Sequence, residues 1–203
     1  MSASWIPVLM PRPLPTGVEM SDAAWLALSE DDGGELVRGR LEEEEVPDFV
    51  HELVISWLIR TIGAWLGGQG FVVGSEAKVL MRPGLGRKPD VIVFLPGSPP
   101  PPRRGPLTRP PDVLVEVVTP TPRDERRDRV EKMAEYAAFG VPSYWLVDPA
   151  LGSVEVFRRD ADGNYVRAAA ATDGQLAVPG CTGLVLDVDG LWDELSRLAD
   201  DDG

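Results

Sequence analysis

The segment DVIVFL, at residues 90–95, is an almost continuous run of apolar residues that directly follows a proline. A strand with one solvated face alternates apolar and polar residues, so a continuous run indicates a strand buried on both faces. A second strand segment, DVLVEVV at residues 112–118, also follows a proline. A sheet containing a strand of this kind needs structure on both of its sides, which points to an α/β fold.

Two segments have the pattern of helices that can cover such a sheet. Apolar residues recur at the i, i+3, i+4 spacing over residues 50–65, with Asp48 as a cap before them and Gly67 after them. A second helix is predicted over residues 121–139, because it starts with a threonine cap followed by proline.

The remaining segments add strands, hairpins and short helices. Strands are predicted at residues 71–81, 143–147, 176–179 and 184–188, hairpins at 35–42 and 154–168, and further helices at 22–30 and 189–199. Residues 83–87 are predicted to be a turn and the Pro-rich residues 96–111 an extended loop. The order of elements predicts an α/β sandwich around a mixed sheet, with extra β-hairpins.

The length of 203 residues fits one domain. We predict an extended N-terminal arm over residues 1–20, a single domain over residues 21–199 and an acidic tail over residues 200–203. No apolar run reaches the ~18 residues of a membrane span, and the first residues lack the features of a signal peptide. We therefore expect a cytoplasmic protein without membrane contact.

The charge is acidic overall but uneven. A net charge of -13 argues against a protein that coats nucleic acid non-specifically, since phosphate contacts dominate such binding. Residues 103–132 are nevertheless rich in cations. The candidates for weak contacts to nucleic acid are Lys88, Arg103, Arg104, Arg123, Arg126 and Arg127.

A carboxylate pair is the strongest candidate for chemistry. The chain has one histidine and one cysteine, so a metal site would use oxygen ligands and favour Mg²⁺ or Mn²⁺. Glu116 lies within an apolar run, where an unpaired carboxylate is costly, so it either faces a cleft or pairs with a nearby arginine. Asp112 and Glu116 on one strand are ~13 Å apart and cannot share an ion. Asp90, which opens a neighbouring strand, is the better partner.

The strings KPDVIVF (88–94), PDVLVEVVTPTPRDERRD (111–128) and EKMAEYAAFGVPSYWLVDP (131–149) resemble the Uma-type restriction endonuclease-like family, a branch of the PD-(D/E)XK nuclease superfamily. The resemblance covers roughly residues 30–170 and implies a restriction-endonuclease-like fold. This sequence departs from the superfamily's E-x-K pattern, because Val118 occupies the position at which the lysine is expected. The resemblance implies that the lysine has moved to Lys132 on the following helix.

Lys132 also has a plain structural interpretation, as one half of an i, i+4 pair with Asp128 on a solvated helix face. A histidine at the start of the long helix is frequent in the family and matches His51, which either approaches the site or has a structural role. Glu52 is an alternative acid there, unless it is a surface residue paired with Ser56 or Arg60. Lys88, at a position where the family usually has Gln, is either a phosphate contact or a turn residue.

These features predict a metal-dependent endonuclease that hydrolyses phosphodiester bonds in nucleic acid, with DNA as the expected substrate. Asp90, Glu116 and the carbonyl of Val117 would hold Mg²⁺ or Mn²⁺, and Lys132 would orient the attacking water and stabilise charge. We also expect a homodimer. The alternative function is a non-catalytic module that uses the same fold for oligomerisation or partner binding, which the charge of -13 favours.

Overall fold

A computed structural model of the chain describes residues 17–29, 33–43, 48–74 and 77–199. The tail at 200–203 and most of the predicted arm lie outside these ranges. The helices in the described ranges are α1 (Asp22–Leu26), α2 (Phe49–Leu66), α3 (Pro122–Arg126), α4 (Met133–Phe139) and α5 (Val188–Leu195), and a π-helix at Arg127–Lys132 joins α3 to α4. The strands there are β1 (Glu35–Val37), β2 (Arg40–Glu42), β3 (Phe71–Gly74), β4 (Val79–Arg82), β5 (Leu85–Arg87), β6 (Val91–Phe94), β7 (Val113–Val117), β8 (Ser143–Asp148), β9 (Ser153–Arg159), β10 (Tyr165–Ala171), β11 (Gln175–Ala177) and β12 (Val185–Asp187).

The main sheet has six strands in the order β10-β9-β8-β7-β6-β3. Strands β7 and β8 run parallel, and the other neighbours in this sheet are antiparallel. The connection between β7 and β8 is the helical segment α3–π-helix–α4, as expected for a parallel pair. The predicted mixed sheet and α/β sandwich are therefore confirmed.

Alternate residues of the central strands pack on opposite faces of this sheet. Val113, Val115 and Val117 of β7 pack in a core with α2 and α5. Leu114 and Val118 pack in a second core with Tyr136 of α4. Both faces of the sheet are covered, and Glu116 has the strand parity of the second face.

The α2 helix begins and ends where the sequence predicts. The Asp48 side chain accepts a hydrogen bond from the backbone N–H of His51, and Gly67 adopts the left-handed conformation that ends the helix. By length and composition alone, this helix is long and apolar enough to cross a membrane. Its buried side chains, including Val54, Leu58 and Ile62, pack in the core beside the main sheet.

A second sheet, in the order β2-β1-β5-β4, corrects two predictions. Residues 71–81 are two strands instead of one, because β3 pairs with β6 in the main sheet and β4 pairs with β5 in the second. Residues 83–87 are more than a turn, since Leu85–Arg87 is a strand. Gly86 packs on Trp25, where an added Cβ would lie 2.3 Å from the ring, so this glycine serves close packing and does not form the turn.

Candidate active site

Glu116 lies near the end of β7 with 1% of its surface exposed. One carboxylate oxygen accepts a hydrogen bond from the Lys132 ammonium at 2.8 Å, and the other accepts one from the Tyr136 hydroxyl at 2.6 Å. The predicted alternative of an arginine partner is wrong, because the cation beside this carboxylate is a lysine. Both partners come from the helical segment that follows β7, so the strand and the helix build this part of the site together.

The π-helix explains how Lys132 reaches the interior. A π-helix widens a helical turn locally and is frequent at functional sites. Here both Asp128 and Lys132 are buried within it, and their side chains form an ion pair at 3.3 Å. The predicted i, i+4 pair therefore exists, but the solvated helix face is wrong. Tyr144 supports this geometry from β8, because its hydroxyl donates to the Asp128 carbonyl at 3.1 Å.

Asp90 immediately precedes β6 and lies beside the end of β7. One of its carboxylate oxygens accepts a hydrogen bond from the backbone N–H of Val117 at 2.7 Å, and this oxygen lies 3.3 Å from Nε2 of His51. The Asp90 side chain is 15% exposed, so it faces solvent more than Glu116 does. The structure thus brings Asp90, His51 and Val117 into direct contact where β7 ends and β6 begins.

The electrostatics of the cluster show an excess of negative charge. Burial raises the pKa of Glu116 well above its usual value, the charge of Lys132 opposes this rise, and the charges of Asp90, Asp128 and Glu35 add to it. Burial alone would lower the pKa of Lys132, but Glu116, Glu35 and Asp128 together raise it. Lys132 therefore remains a cation at any physiological pH.

His51 is buried, and its two ring nitrogens face different acids. Burial would lower the pKa of His51, but the hydrogen bond to Asp90 and the charges of Asp90, Glu52 and Asp48 raise it. Glu52 is exposed and lies 3.9 Å from Nδ1 of His51. Arg60, one of the two partners considered for Glu52, instead pairs with Glu194 at 2.7 Å. Glu52 therefore lies outside the buried part of the cluster.

The candidate cations for nucleic acid separate into buried and exposed groups. Lys88 and Arg127 are buried, and Arg127 pairs with Asp124 at 3.0 Å. The exposed group comprises Arg103, Arg104, Arg123 and Arg126. This second group has the access that phosphate contacts require.

Two residues that the sequence reasoning did not single out complete the buried cluster. Glu35 of β1 places a carboxylate oxygen 3.9 Å from the Lys132 ammonium, and Arg87 of β5 donates to Glu35 at 2.7 Å. Glu35 is the first residue of a three-residue strand, and Arg87 belongs to the segment predicted to be a turn. Periodicity carries no signal for either residue, because their partners are remote in sequence.

The candidate ligands for a divalent ion are two carboxylates, Asp90 and Glu116. Within the described ranges, no group of three or more His, Cys, Asp or Glu side chains is arranged to hold a metal ion. Mg²⁺ usually keeps several waters and binds only one or two carboxylates, so the Asp90 and Glu116 pair suits it. Each oxygen of Glu116 already accepts one hydrogen bond and keeps a further lone pair. The excess of negative charge also favours a cation at this position.

A cavity of about 260 Å³ opens next to His51 and Val117, although Asp90, Glu116 and Lys132 do not line it. His51 at the start of α2 forms one wall, and Val117, Val118 and Thr119 at the end of β7 form another. Pro149, which follows β8, closes a third side. Because β7 and β8 are parallel, this cavity lies at their shared carboxyl edge, where α/β sheets commonly bind ligands.

Comparisons with known proteins agree with this architecture. The model of the Uma2 family, described as "putative restriction endonuclease", matches residues 23–189. A crystal structure of a "putative nuclease belonging to DUF820" from Anabaena variabilis ATCC 29413 superposes with a TM-score of 0.69 at 19% identity, over 87% of this chain and 99% of that one. No curated protein matches the chain. The likeness to the solved structure shows a shared fold, which is restriction-endonuclease-like. The family match covers most of the sequence, and the chain therefore belongs to the Uma2 family.

Proposed function

We propose that the protein is a metal-dependent endonuclease that hydrolyses phosphodiester bonds in nucleic acid, with DNA as the expected substrate. The descriptions of the family and of the similar solved structure both support a nuclease. The observation that carries the proposal is the buried Lys132–Glu116 pair, 2.8 Å apart in the cluster that also includes Asp90. A carboxylate pair can hold a divalent ion, and a lysine can stabilise the negative charge that develops on a phosphate.

The acidic residues would form the metal centre. Asp90, Glu116 and the carbonyl of Val117 would hold Mg²⁺ or Mn²⁺, with water and phosphate oxygens completing the coordination. When bound, the ion supplies positive charge that polarises the phosphoryl group and activates water. The hydrogen bond from the Val117 N–H fixes the orientation of the Asp90 carboxylate before substrate arrives.

Lys132 would act as a fixed positive charge. Because the neighbouring carboxylates raise its pKa, it does not serve as a proton acceptor. Its hydrogen bond to Glu116 holds the ammonium beside that carboxylate, from which it would stabilise the negative charge that develops on the phosphate and orient the attacking water. The two side chains thus position each other.

The exposed arginines would guide the substrate. Arg103 and Arg104 lie in the Pro-rich loop, and Arg123 and Arg126 lie on α3 just after β7. Arg123 and Arg126 already contact Glu43 and Glu131, at 3.7 Å and 3.5 Å. Arg103 and Arg104 would therefore supply most of the local positive charge that a protein with a charge of -13 needs in order to bind a polyanion. A single domain over residues 21–199, a homodimeric assembly and a cytoplasmic location also belong to this proposal.

A non-catalytic binding module on the same fold is the second candidate. Lys132 and Glu116 are both buried and satisfy each other's charge, as a purely structural ion pair would. The net charge of -13 also favours a partner other than nucleic acid. The two candidates differ in whether a metal ion and a phosphodiester react at the cluster.

Metal-dependent cleavage of supercoiled plasmid DNA tests the proposal. Wild type is expected to nick the plasmid with Mg²⁺ or Mn²⁺ and to stop when the ion is chelated, whereas Glu116→Ala is inactive. Glu194→Gln is the control, since Glu194 is a partly buried carboxylate on α5 that pairs with Arg60 of α2 at 2.7 Å. Equal cleavage by wild type and Glu116→Ala would assign the activity elsewhere, and no cleavage by wild type with either ion would favour the binding module.

A further inference from the structure

Glu35 of the second sheet is the least expected member of the buried cluster. It is 3% exposed, and each of its oxygens has a separate partner. One accepts a hydrogen bond from the backbone N–H of Lys88 at 3.0 Å, and the other accepts one from Nη1 of Arg87 at 2.7 Å. Both anchors belong to β5 or to the residue directly after it, so the second sheet fixes this carboxylate without help from the main sheet.

Arg87 connects that carboxylate to the helix that follows Lys132. The guanidinium is 1% exposed, and its other nitrogens bind the two oxygens of Glu135 on α4 at 2.8 Å and 3.1 Å. The bidentate geometry makes the link directional. Glu35, Arg87 and Glu135 therefore form a chain of ion pairs that runs from the second sheet to the helical segment carrying Lys132.

The Lys132 ammonium lies among three carboxylates from three different elements. Glu116 of β7 is at 2.8 Å, Asp128 of the π-helix is at 3.3 Å and Glu35 of β1 is at 3.9 Å. The Glu116 contact has hydrogen-bond geometry, whereas the Glu35 contact exceeds hydrogen-bond distance. Glu35 thus attracts the ammonium through its charge without occupying an N–H donor that could serve a substrate oxygen.

Stability alone is a weak explanation for this arrangement. Removing charges from water is costly, and well-packed apolar residues of similar size often stabilise a core as well as a buried ion pair does. A chain of three charged side chains, two of them buried, that ends beside Lys132 is better explained by the position it gives to the ammonium. The anchors on Glu35 leave that carboxylate little freedom, so it can act as a fixed reference.

We propose that Glu35 is a positioning residue for Lys132, and that the Arg87 bridge to Glu135 fixes the distance between them. This inference rests on the proposed endonuclease function for its consequence in catalysis. Its structural part, the placement of the ammonium by a remote carboxylate, can be measured without any cleavage assay. The second sheet then has a role in the chemistry, although its residues do not meet the substrate.

The chain allows a direct test because it has only three lysines, at positions 78, 88 and 132. Selective ¹³C labelling of lysine gives a small set of side-chain signals, and the one from Lys132 is assigned with Lys132→Arg. Glu35→Gln keeps the shape of residue 35 and removes its charge, so the chemical shift of the Lys132 signal is expected to change. Glu194→Gln, which removes the α5 carboxylate paired with Arg60 of α2, should leave that signal in place.

Cleavage kinetics give the second readout. Substitutions of groups that orient an active-site side chain typically reduce activity about 10- to 100-fold. We expect that reduction in kcat for Glu35→Gln with KM unchanged, because the ammonium acts on the reacting phosphate and not on general binding. Glu194→Gln should keep the wild-type kcat. Glu35→Asp keeps the charge but withdraws it by one methylene. Its kcat should lie between those of wild type and Glu35→Gln.

The outcomes separate this inference from the proposed function. An unmoved Lys132 signal together with a wild-type kcat in Glu35→Gln overturns the positioning role, even if wild type cleaves DNA. If wild type does not cleave DNA, the endonuclease proposal fails, and the NMR signal alone decides the placement. If Glu35→Gln does not fold, Glu35→Asp decides, since an unchanged signal and kcat in that variant contradict the inference.

Discussion

The Lys132 ammonium lies 2.8 Å from the Glu116 carboxylate, although the two residues are sixteen positions apart and belong to a helix and a strand. Both side chains are at least nine-tenths buried. A buried pair of this kind loses much more stability when one partner is removed than a surface pair does, because the other charge stays behind without compensation. The pair therefore links the proposed catalysis to folding at one position.

Substitution of Lys132 should affect both properties. Lys132→Ala leaves Glu116 and Asp128 without their shared cation, so we expect the free energy of unfolding to fall by about 3–5 kcal/mol. The ~0.3–0.5 kcal/mol of a solvated i, i+4 pair is too small for this site. Urea denaturation measures the change. A loss below about 1 kcal/mol would contradict the buried arrangement.

Lys132→Arg separates charge from geometry. It keeps the positive charge but replaces a compact ammonium with a planar guanidinium. Single-turnover cleavage is expected to fall by ~10²-fold or more, because a contact to the developing charge is misplaced. A wild-type rate in this variant would leave Lys132 with a structural role alone.

Metal binding should stabilise the folded protein. Mg²⁺ or Mn²⁺ is expected to raise the melting temperature, because the proposed site exists in the folded protein and not in the unfolded chain. Glu116→Gln should abolish most of the rise, as it weakens one of the two acidic ligands. A variant with asparagine at residues 200–202 is the control for ions that bind the acidic tail, and it should keep the wild-type rise. An equal rise in wild type and Glu116→Gln would locate the ion elsewhere.

Part of this site could be predicted from the sequence, and the rest could not, for a physical reason. Asp90 and Glu116 could be singled out because each carboxylate opens or interrupts an apolar strand, and Lys132 followed from a family resemblance. Glu35 and Arg87 could not be found in the same way, since they pair across about fifty residues and belong to a sheet that local periodicity did not separate. The split of residues 71–81 between two sheets was missed for the same reason, because an apolar run does not specify its pairing partner.

The acid stability of the protein should depend on Glu35. Burial opposes ionisation of this carboxyl, but Lys132 and Arg87 lower its pKa from 4.5 to about 2. A lowered pKa gives stability that is complete above the unfolded value and is lost as the pH falls towards the folded value. The ionised Glu35 carboxylate contributes about 3 kcal/mol to the free energy of unfolding near neutral pH. At pH ~3 this contribution is smaller by about 2 kcal/mol.

Urea denaturation of wild type and Glu35→Gln over this pH range checks the prediction. The stability difference between the two proteins should shrink between pH 4.5 and about 2, and it should be constant at higher pH, well above the unfolded value. Glu116 has a raised pKa and contributes with the opposite sign, so the comparison must be made between variants at each pH. A difference that is independent of pH would mean that Glu35 is not held as an ionised carboxylate.

The exposed Arg103 and Arg104 should contribute to the binding of nucleic acid. Each phosphate contact releases counterions, so the slope of log K against log salt reports the number of contacts, at about 0.9 per phosphate on duplex DNA. Replacing both Arg103 and Arg104 with serine should therefore reduce the slope by about 2 and weaken binding equally for all sequences. Arg60→Ser is the matched control. The Arg60 side chain is also exposed, at 57%, and it lies on α2, which packs on the face of the main sheet opposite to that of Glu116. Fluorescence anisotropy with a labelled duplex at several salt concentrations measures these slopes. If the double variant and Arg60→Ser keep the wild-type slope, the loop does not contact phosphate, and the groups that offset the charge of -13 must lie elsewhere on the surface.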